Sequence, residues 1–388
     1  MFSNCTSLVT APELPATTLA NGCYNTMFSG CTKLNYIKAL FTTTPSATYT
    51  QNWVSGVSST GKFVKSKYAT WNVTGDDGIP TSWTVEILRN PSDYLTIEAL
   101  ENNLTVSFSG NTIQYSNNDC KTWIELPTNT ATPLINKGQK LYFRGNLTPT
   151  LAVGIGTFTI SKKCNLSGNC NSMLFGEYAD SNSDLPDKDY TFNKLFYNCS
   201  TIIDASQLIL PATTLEPSCY RYMFTYCTSL TQAPALPATT LADNCYDLMF
   251  YGCTSLVTAP ALPATTLVEY CYMSMFANCT SLVTAPELPA TTLAEGCYRY
   301  MFSNCTSLVT APVLPATTLV DGCYTYMFYG CSKLNYIKAL FTSTPSATYT
   351  QNWVDSVSST GTFVKNANAT WNVTGVNGIP AGWTVQTA

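Results

Sequence analysis

Along most of the chain the apolar positions follow one recurring pattern. In Cys297-Tyr-Arg-Tyr-Met-Phe-Ser-Asn-Cys305 the residues Cys297, Met301 and Cys305 fall at i, i+4, i+8, and Tyr298 and Phe302 at i, i+4. That spacing predicts a helical stripe about two turns long, with these side chains on its buried face. The position before the second cysteine is Asn4, Gly30, Asn198, Gly252, Asn278, Asn304 or Gly330, with Tyr226 the exception. Asn and Gly tolerate the left-handed conformation that ends a helix. The position before the first cysteine is usually Gly, Ser or Asn, which suits a helix start. The rest of the unit, SLVTAPxLPATTL, is rich in β-branched residues and carries two prolines. Proline cannot donate to a ladder, so short strands are expected around Pro312 and Pro315, with Leu308, Ala311, Leu314 and Leu319 facing inward. Of the pair Thr317–Thr318, one is expected to face in and one out.

The pattern is strictly periodic. LPATTL begins at Leu14, Leu210, Leu236, Leu262, Leu288 and Leu314, the last five 26 residues apart. Cys227, Cys253, Cys279, Cys305 and Cys331 form one column and Cys219, Cys245, Cys271, Cys297 and Cys323 another. Self-similarity at this period is the signature of a solenoid. A longer period lies on top: residues 1–87 match 301–387 at an offset of 300. Met1 aligns with the internal repeat position Met301, so the chain is expected to be one and a third copies of a module of about 300 residues from a longer protein. The expected organisation is the end of a first solenoid at 1–31 and a closing cap segment at 32–87. A β-domain follows at 88–170, and a connector with the start of a degenerate coil at 171–198. The main solenoid spans 199–331, and a second closing cap segment 332–388. Between the solenoids, YLTIEAL, LTVSFSG, TIQYS, TWIELP, KLYFRGNL and GTFTISK alternate in polarity between turn clusters. This predicts a small all-β, immunoglobulin-like sandwich.

The MFxxCxSL opening of each coil resembles the BspA-like leucine-rich repeats, over about 1–50 and 189–340. The tail LNYIKALF…GIPAGWTV resembles the closing segment of such arrays in proteins of anaerobic gut bacteria and their phages. The resemblance implies a leucine-rich-repeat solenoid of short strands plus short helices, and a surface or secreted protein that binds proteins, cells or glycans. The sequence departs from that family in its period of 26 and in the two prolines of each strand.

Composition narrows the chemistry. Charged residues are 11% and the net charge is −4, which leaves no basic surface to neutralise phosphates and argues against nucleic acid. The absence of histidine removes His-dependent nucleophile systems, His general bases and imidazole zinc sites. No apolar run is long enough to insert into a membrane, and the N-terminal residues do not form a signal peptide.

Fourteen of the 17 cysteines lie in the two columns. Eight residues of helix separate the columns by roughly 12 Å, too far for a bridge within a unit. No CxxC pair suggests a metal, so buried core thiols are expected. Cys164 and Cys170 are the one candidate disulfide, closing a small hairpin. LPATT lacks the glycine of a sortase signal and recurs in every coil, and the stacked threonines are read as stabilising pairs. The ten N-x-S/T sequons are read as composition. Glu13, Asp243, Glu269, Glu287, Glu295 and Asp321 vary between coils as solvated acids do, and suggest no catalytic pair. No cofactor site is expected.

What remains is the surplus of tyrosine. Tyr220, Tyr246, Tyr272, Tyr298 and Tyr324 hold an invariant, core position. Tyr222, Tyr300 and Tyr326 share a variable column, and Tyr226, Tyr251 and Tyr329 lie in two neighbouring ones. Residues that change while the frame stays constant are where a solenoid displays a binding surface, and tyrosine is a rigid amphipathic contact for protein or sugar. The competing interpretation is an ordinary amphipathic covering. Three functions follow as expectations: a non-enzymatic extracellular adhesion protein on a bacterial surface, a phage fibre or virion-surface attachment protein, and, to be tested, a glycan-degrading enzyme. The partner is expected to be a protein or glycan on a cell surface, with self-association along tandem modules a further expectation.

Overall fold

In the computed structural model, which describes residues 1–88, 90–181, 184–185 and 188–388, the chain divides into two units, Met1–Asn90 and Pro91–Ala388. Part of the polar loop DSNSDLPDKD lies outside the described residues. Both units are built on a solenoid, and the coil explains why the repeat has the residues it has.

The segment expected to be helical is a ribbon of successive β-turns. The N–H groups of Cys219, Arg221, Met223, Thr225 and Cys227 return to carbonyls three residues back, at 3.0–3.2 Å. The intervening N–H groups of Ser218, Tyr220, Tyr222, Phe224 and Tyr226 donate to Asp243, Cys245, Asp247, Met249 and Tyr251 of the next coil at 2.8–3.0 Å. Every fourth residue takes a left-handed φ: Ser218 at 56°, Tyr222 at 57° and Tyr226 at 59°. The expected helix is therefore corrected, while its buried stripe stands. A four-residue turn also places i, i+4 and i+8 on one face, and Cys219, Met223 and Cys227 are all fully buried. Half of the ribbon's N–H groups bond inside the coil and half to its neighbour, so no ribbon donor is left over. Among the described residues the α-helices are single turns, α1 (Ala47–Thr50), α2 (Ser172–Phe175) and α3 (Ala347–Thr350), all outside the repeats.

On the other side of the coil, strands shrink to single bridges such as Thr258↔Thr284 and Thr266↔Thr292, flanking the prolines as expected. Leu308, Ala311, Leu314 and Leu319 are buried. Both threonines of each pair are exposed, from Thr213 and Thr214 to Thr317 and Thr318, which corrects the alternation expected of a strand. The chain turns a corner there, so that the flanking Ala and Leu both point inward and both hydroxyls outward.

In the first unit, β1 (Tyr36–Ala39), β2 (Lys62–Ser66) and β3 (Thr84–Leu88) stack in parallel, and β1 continues from the coil through Thr10↔Tyr36. Trp53, Trp71 and Trp83 close its core, each indole N–H donating to a backbone carbonyl (Gly78, Phe41 and Ser58).

The second unit opens with β4 (Leu95–Ala99), β5 (Val106–Phe108), β6 (Ile113–Ser116), β7 (Ile124–Leu126), β8 (Lys140–Arg144), β9 (Phe158–Ile160) and β10 (Cys164–Asn169). β11 (Ile202–Ile209) then pairs in parallel with β10 and bridges the next coil through Asp204↔Gln232. The sheet order is β11-β10-β4-β8-β6-β7, with β5 and β9 paired apart. The division is thus six strands and two, where an immunoglobulin-like sandwich divides four and three. β12 (Tyr336–Ala339), β13 (Thr362–Lys365) and β14 (Thr384–Thr387) end the unit as the first unit ends.

One core runs through the second unit from Leu95 to Trp383. Phe158, Phe196, Phe224, Phe250, Phe276, Phe302 and Phe328 form a continuous file of rings 5.3–5.8 Å apart. Each such ring contributes about 1.5–3 kcal/mol by burial, with its neighbour contact adding roughly 1 kcal/mol.

Candidate binding surface

The cysteine columns are structural. The described cysteines are all free thiols. In the Cys227 column each thiol donates to the carbonyl of the preceding coil's phenylalanine, from Cys227 to Phe196 (3.2 Å) through Cys331 to Phe302 (3.0 Å). Burial pushes these thiols upward, Cys279 and Cys331 to about 12, so they stay protonated. The expected Cys164–Cys170 bridge is corrected. The two residues stand at the first position of β10 and just past its last, and both are buried free thiols.

Among the described residues no group of three potential metal ligands forms. Of the variable acids, Glu13 pairs with Lys38 at 3.0 Å and Glu295 accepts from the Tyr270 hydroxyl at 2.6 Å. Asp243, Glu269, Glu287 and Asp321 are exposed. The most prominent cleft, about 650 Å³, lies between the β-domain and the proline-bearing side of the first coils; its titratable side chains are Lys140 and Tyr142.

The tyrosines expected to form a surface do lie on the outer side of the turn ribbon, where they separate into two clusters. In the first, Tyr226 and Tyr251 meet edge to face at 5.4 Å. Tyr197 stands edge-on to Tyr222 (6.5 Å) and to Tyr226 (6.2 Å). The Arg221 guanidinium lies 4.8 Å from the Tyr222 ring, and the Lys194 ammonium 5.5 Å from the same ring and 5.9 Å from Tyr197. In the second cluster, Tyr300 and Tyr326 stack at 4.6 Å and 4°, Tyr329 adds an edge contact at 5.7 Å, and Arg299 lies 5.4 Å from Tyr300. Leu248 and Ser274 occupy the column between the clusters, so the six tyrosines form no single stripe.

The first cluster has a built foundation. Arg221 Nε donates to Asp247 Oδ2 at 2.8 Å, and Asp247 is fully buried. Burial raises the Asp247 carboxyl to about 6 despite the opposing pull of Arg221. Tyr226 reaches across the next coil at Gly252, where a Cβ would come within 2.7 Å of its ring. The column repeats as Asn198, Tyr226, Gly252, Asn278, Asn304 and Gly330, so the one aromatic member lies over a glycine. Lys194, Tyr197, Arg221 and Asp247 were not singled out from the sequence, and Gly252 only as a left-handed position. The signal was available: counting back from Cys199 puts Lys194 in the Tyr222 column and Tyr197 in the Tyr251 column, despite the irregular first coil.

Compared with known protein families, characterised proteins and solved structures, the chain matches none.

Proposed function

We propose that this chain is a non-enzymatic binding protein that works outside the cell, offering the outer side of its turn ribbon to a protein or glycan on a cell surface. The observation that carries this reading is the contrast within the ribbon. From Cys219 to Cys331 Cys, Tyr, Met and Phe are constant and buried, whereas the left-handed column varies as Tyr222, Leu248, Ser274, Tyr300 and Tyr326, with Lys194 there in the irregular first coil. Left-handed φ costs a non-glycine residue roughly 1–2 kcal/mol. Leu248 and Ser274 bear that cost as the tyrosines do, so the fold sets the backbone there and leaves the side chain free to serve the surface.

The repeat itself supplies variants that leave the coil intact. Tyr222→Ser, Tyr226→Asn and Tyr251→Ala each install the residue that another coil carries in the same column. A glycan and cell-surface binding screen is expected to find a partner for the wild type, with affinity lost at least tenfold in the triple variant. Unchanged binding in that variant and in a Tyr300→Ser/Tyr326→Ser pair would reduce the tyrosines to a covering. We read the chain as a BspA-like surface adhesin. The duplication of 1–87 in 301–387 also favours a tandem-module phage fibre, which neighbouring tail or capsid genes would reveal.

A further inference from the structure

We propose that the first tyrosine cluster is a site for a carboxylate-bearing saccharide, with Lys194 and Arg221 meeting the carboxylate and Tyr197, Tyr222, Tyr226 and Tyr251 receiving the sugar ring. This rests on the binding function proposed above and narrows it to one ligand chemistry.

Charge is the first argument. The chain carries a net −4, yet this patch brings two cations to the same tyrosine ring. The carboxylate at the patch, Asp247, is buried and engaged with Arg221 from below. That contact uses Nε and fixes the guanidinium in place, leaving the terminal nitrogens with one long contact, 3.4 Å to the Tyr222 hydroxyl. Lys194 is exposed, its backbone bonds to Arg221 and Tyr197, and its ammonium has neither hydrogen bond nor ion pair among the described residues. The other acids along the ribbon in these coils lie toward its start: Asp189 five residues before Lys194, Glu216 five before Arg221, and Asp243 eight before Tyr251. An arginine held by a buried carboxylate beside a free lysine is pre-organised for an oxyanion.

Shape is the second argument. The four rings meet edge to face, so they present both faces and edges rather than one closed stack. Such a surface suits the C–H face and hydroxyl rim of a pyranose. An acidic peptide would engage the two cations without needing the four rings, so poly-glutamate and Tyr226→Asn are paired in the test. The second cluster serves as an internal comparison, with one arginine and two tyrosines stacked flat on each other.

The test uses the full chain and immobilised polygalacturonate, alginate, hyaluronate and polysialate, with their methyl-esterified forms and poly-glutamate alongside. At low salt, binding to at least one carboxylated glycan is expected, about tenfold weaker after esterification and weakened by added salt. Lys194→Asn removes a cation while supplying a residue that tolerates the left-handed φ of 59° at that position, and is expected to cost about tenfold. Arg221→Gln is expected to cost more, and Lys333→Asn, at an exposed cation of the closing segment, nothing. Equal binding of acid and ester would overturn the proposal. So would poly-glutamate binding that ignores Tyr226→Asn, or no binding to any acidic glycan. If a neutral glycan or a protein then binds through Tyr226, the saccharide assignment falls while the binding function stands; if the wider screen is also empty, both fall.

Discussion

At the scale of single residues, burial decides chemistry that residue type leaves open. Cys5 and Cys23 are exposed, while Cys305 and Cys323, 300 residues on in the same sequence context, are buried. Alkylation of the native protein followed by peptide mapping is expected to label Cys5 and Cys23, and the other 15 only after denaturation. Native labelling spread across the columns would show that the coils open. Asp247 gives a second residue-level expectation. Its carboxyl titrates near 6 in the folded chain against 3.8 in the unfolded one, so between those values the folded state binds more protons. Its contribution to stability therefore falls as pH rises from about 4 to 6 and is flat above, by on the order of 3 kcal/mol in total. Urea unfolding across that range is expected to show this slope for the wild type relative to Asp247→Asn; parallel curves would remove the buried charge from the account.

At the scale of the element, the turn ribbon replaces a helix because its hydrogen bonds are shared between coils. A nine-residue helix is a weak structure alone, since nucleation is costly. Here every second N–H leaves for the next coil and every fourth residue reverses its φ to let it do so. Gly252, at φ 70°, is where that geometry and the tyrosine cluster meet. Gly252→Ala is expected to cost about 1–2 kcal/mol from the left-handed φ, and more where Tyr226 must move. It should also weaken partner binding, whereas Gly322→Ala, with ordinary contacts only, should affect stability alone. Equal effects of the two on binding would detach Tyr226 from the surface.

At the scale of the whole chain, stability along a solenoid is approximately a sum of neighbour terms. Phe2, Leu8, Leu19, Tyr24 and Met27 are only partly buried, whereas Phe302, Leu308, Leu319, Tyr324 and Met327 are buried in full or nearly so. The sequences are close to identical, so the difference lies in the coil that covers the second set. Hydrogen exchange is expected to open residues 1–31 well before 215–331. Equal protection in a monomeric sample would contradict the neighbour-term description.

The sequence by itself determined the period, the residues of the core, the shortness of strands beside the prolines, and the left-handed position at Asn278 or Gly330. These are properties of side-chain spacing and backbone sterics, which act locally. It could not separate a helix from a ribbon of four-residue turns, because both bury Cys, Met and Cys at i, i+4 and i+8. Only the neighbouring coil decides, by offering carbonyls such as Asp247 and Met249 to the alternate N–H groups. The same holds for the exposed pair Thr317–Thr318, set by a corner, and for Cys164 and Cys170, buried at the two ends of β10. It also holds for the surface. Tyr222, Tyr226 and Tyr251 were legible as variable positions, but their meeting with Tyr197, Lys194 and Arg221 depends on which coils stack. Hydrogen bonds between coils join residues 23 to 31 apart along the chain, beyond the reach of any local pattern.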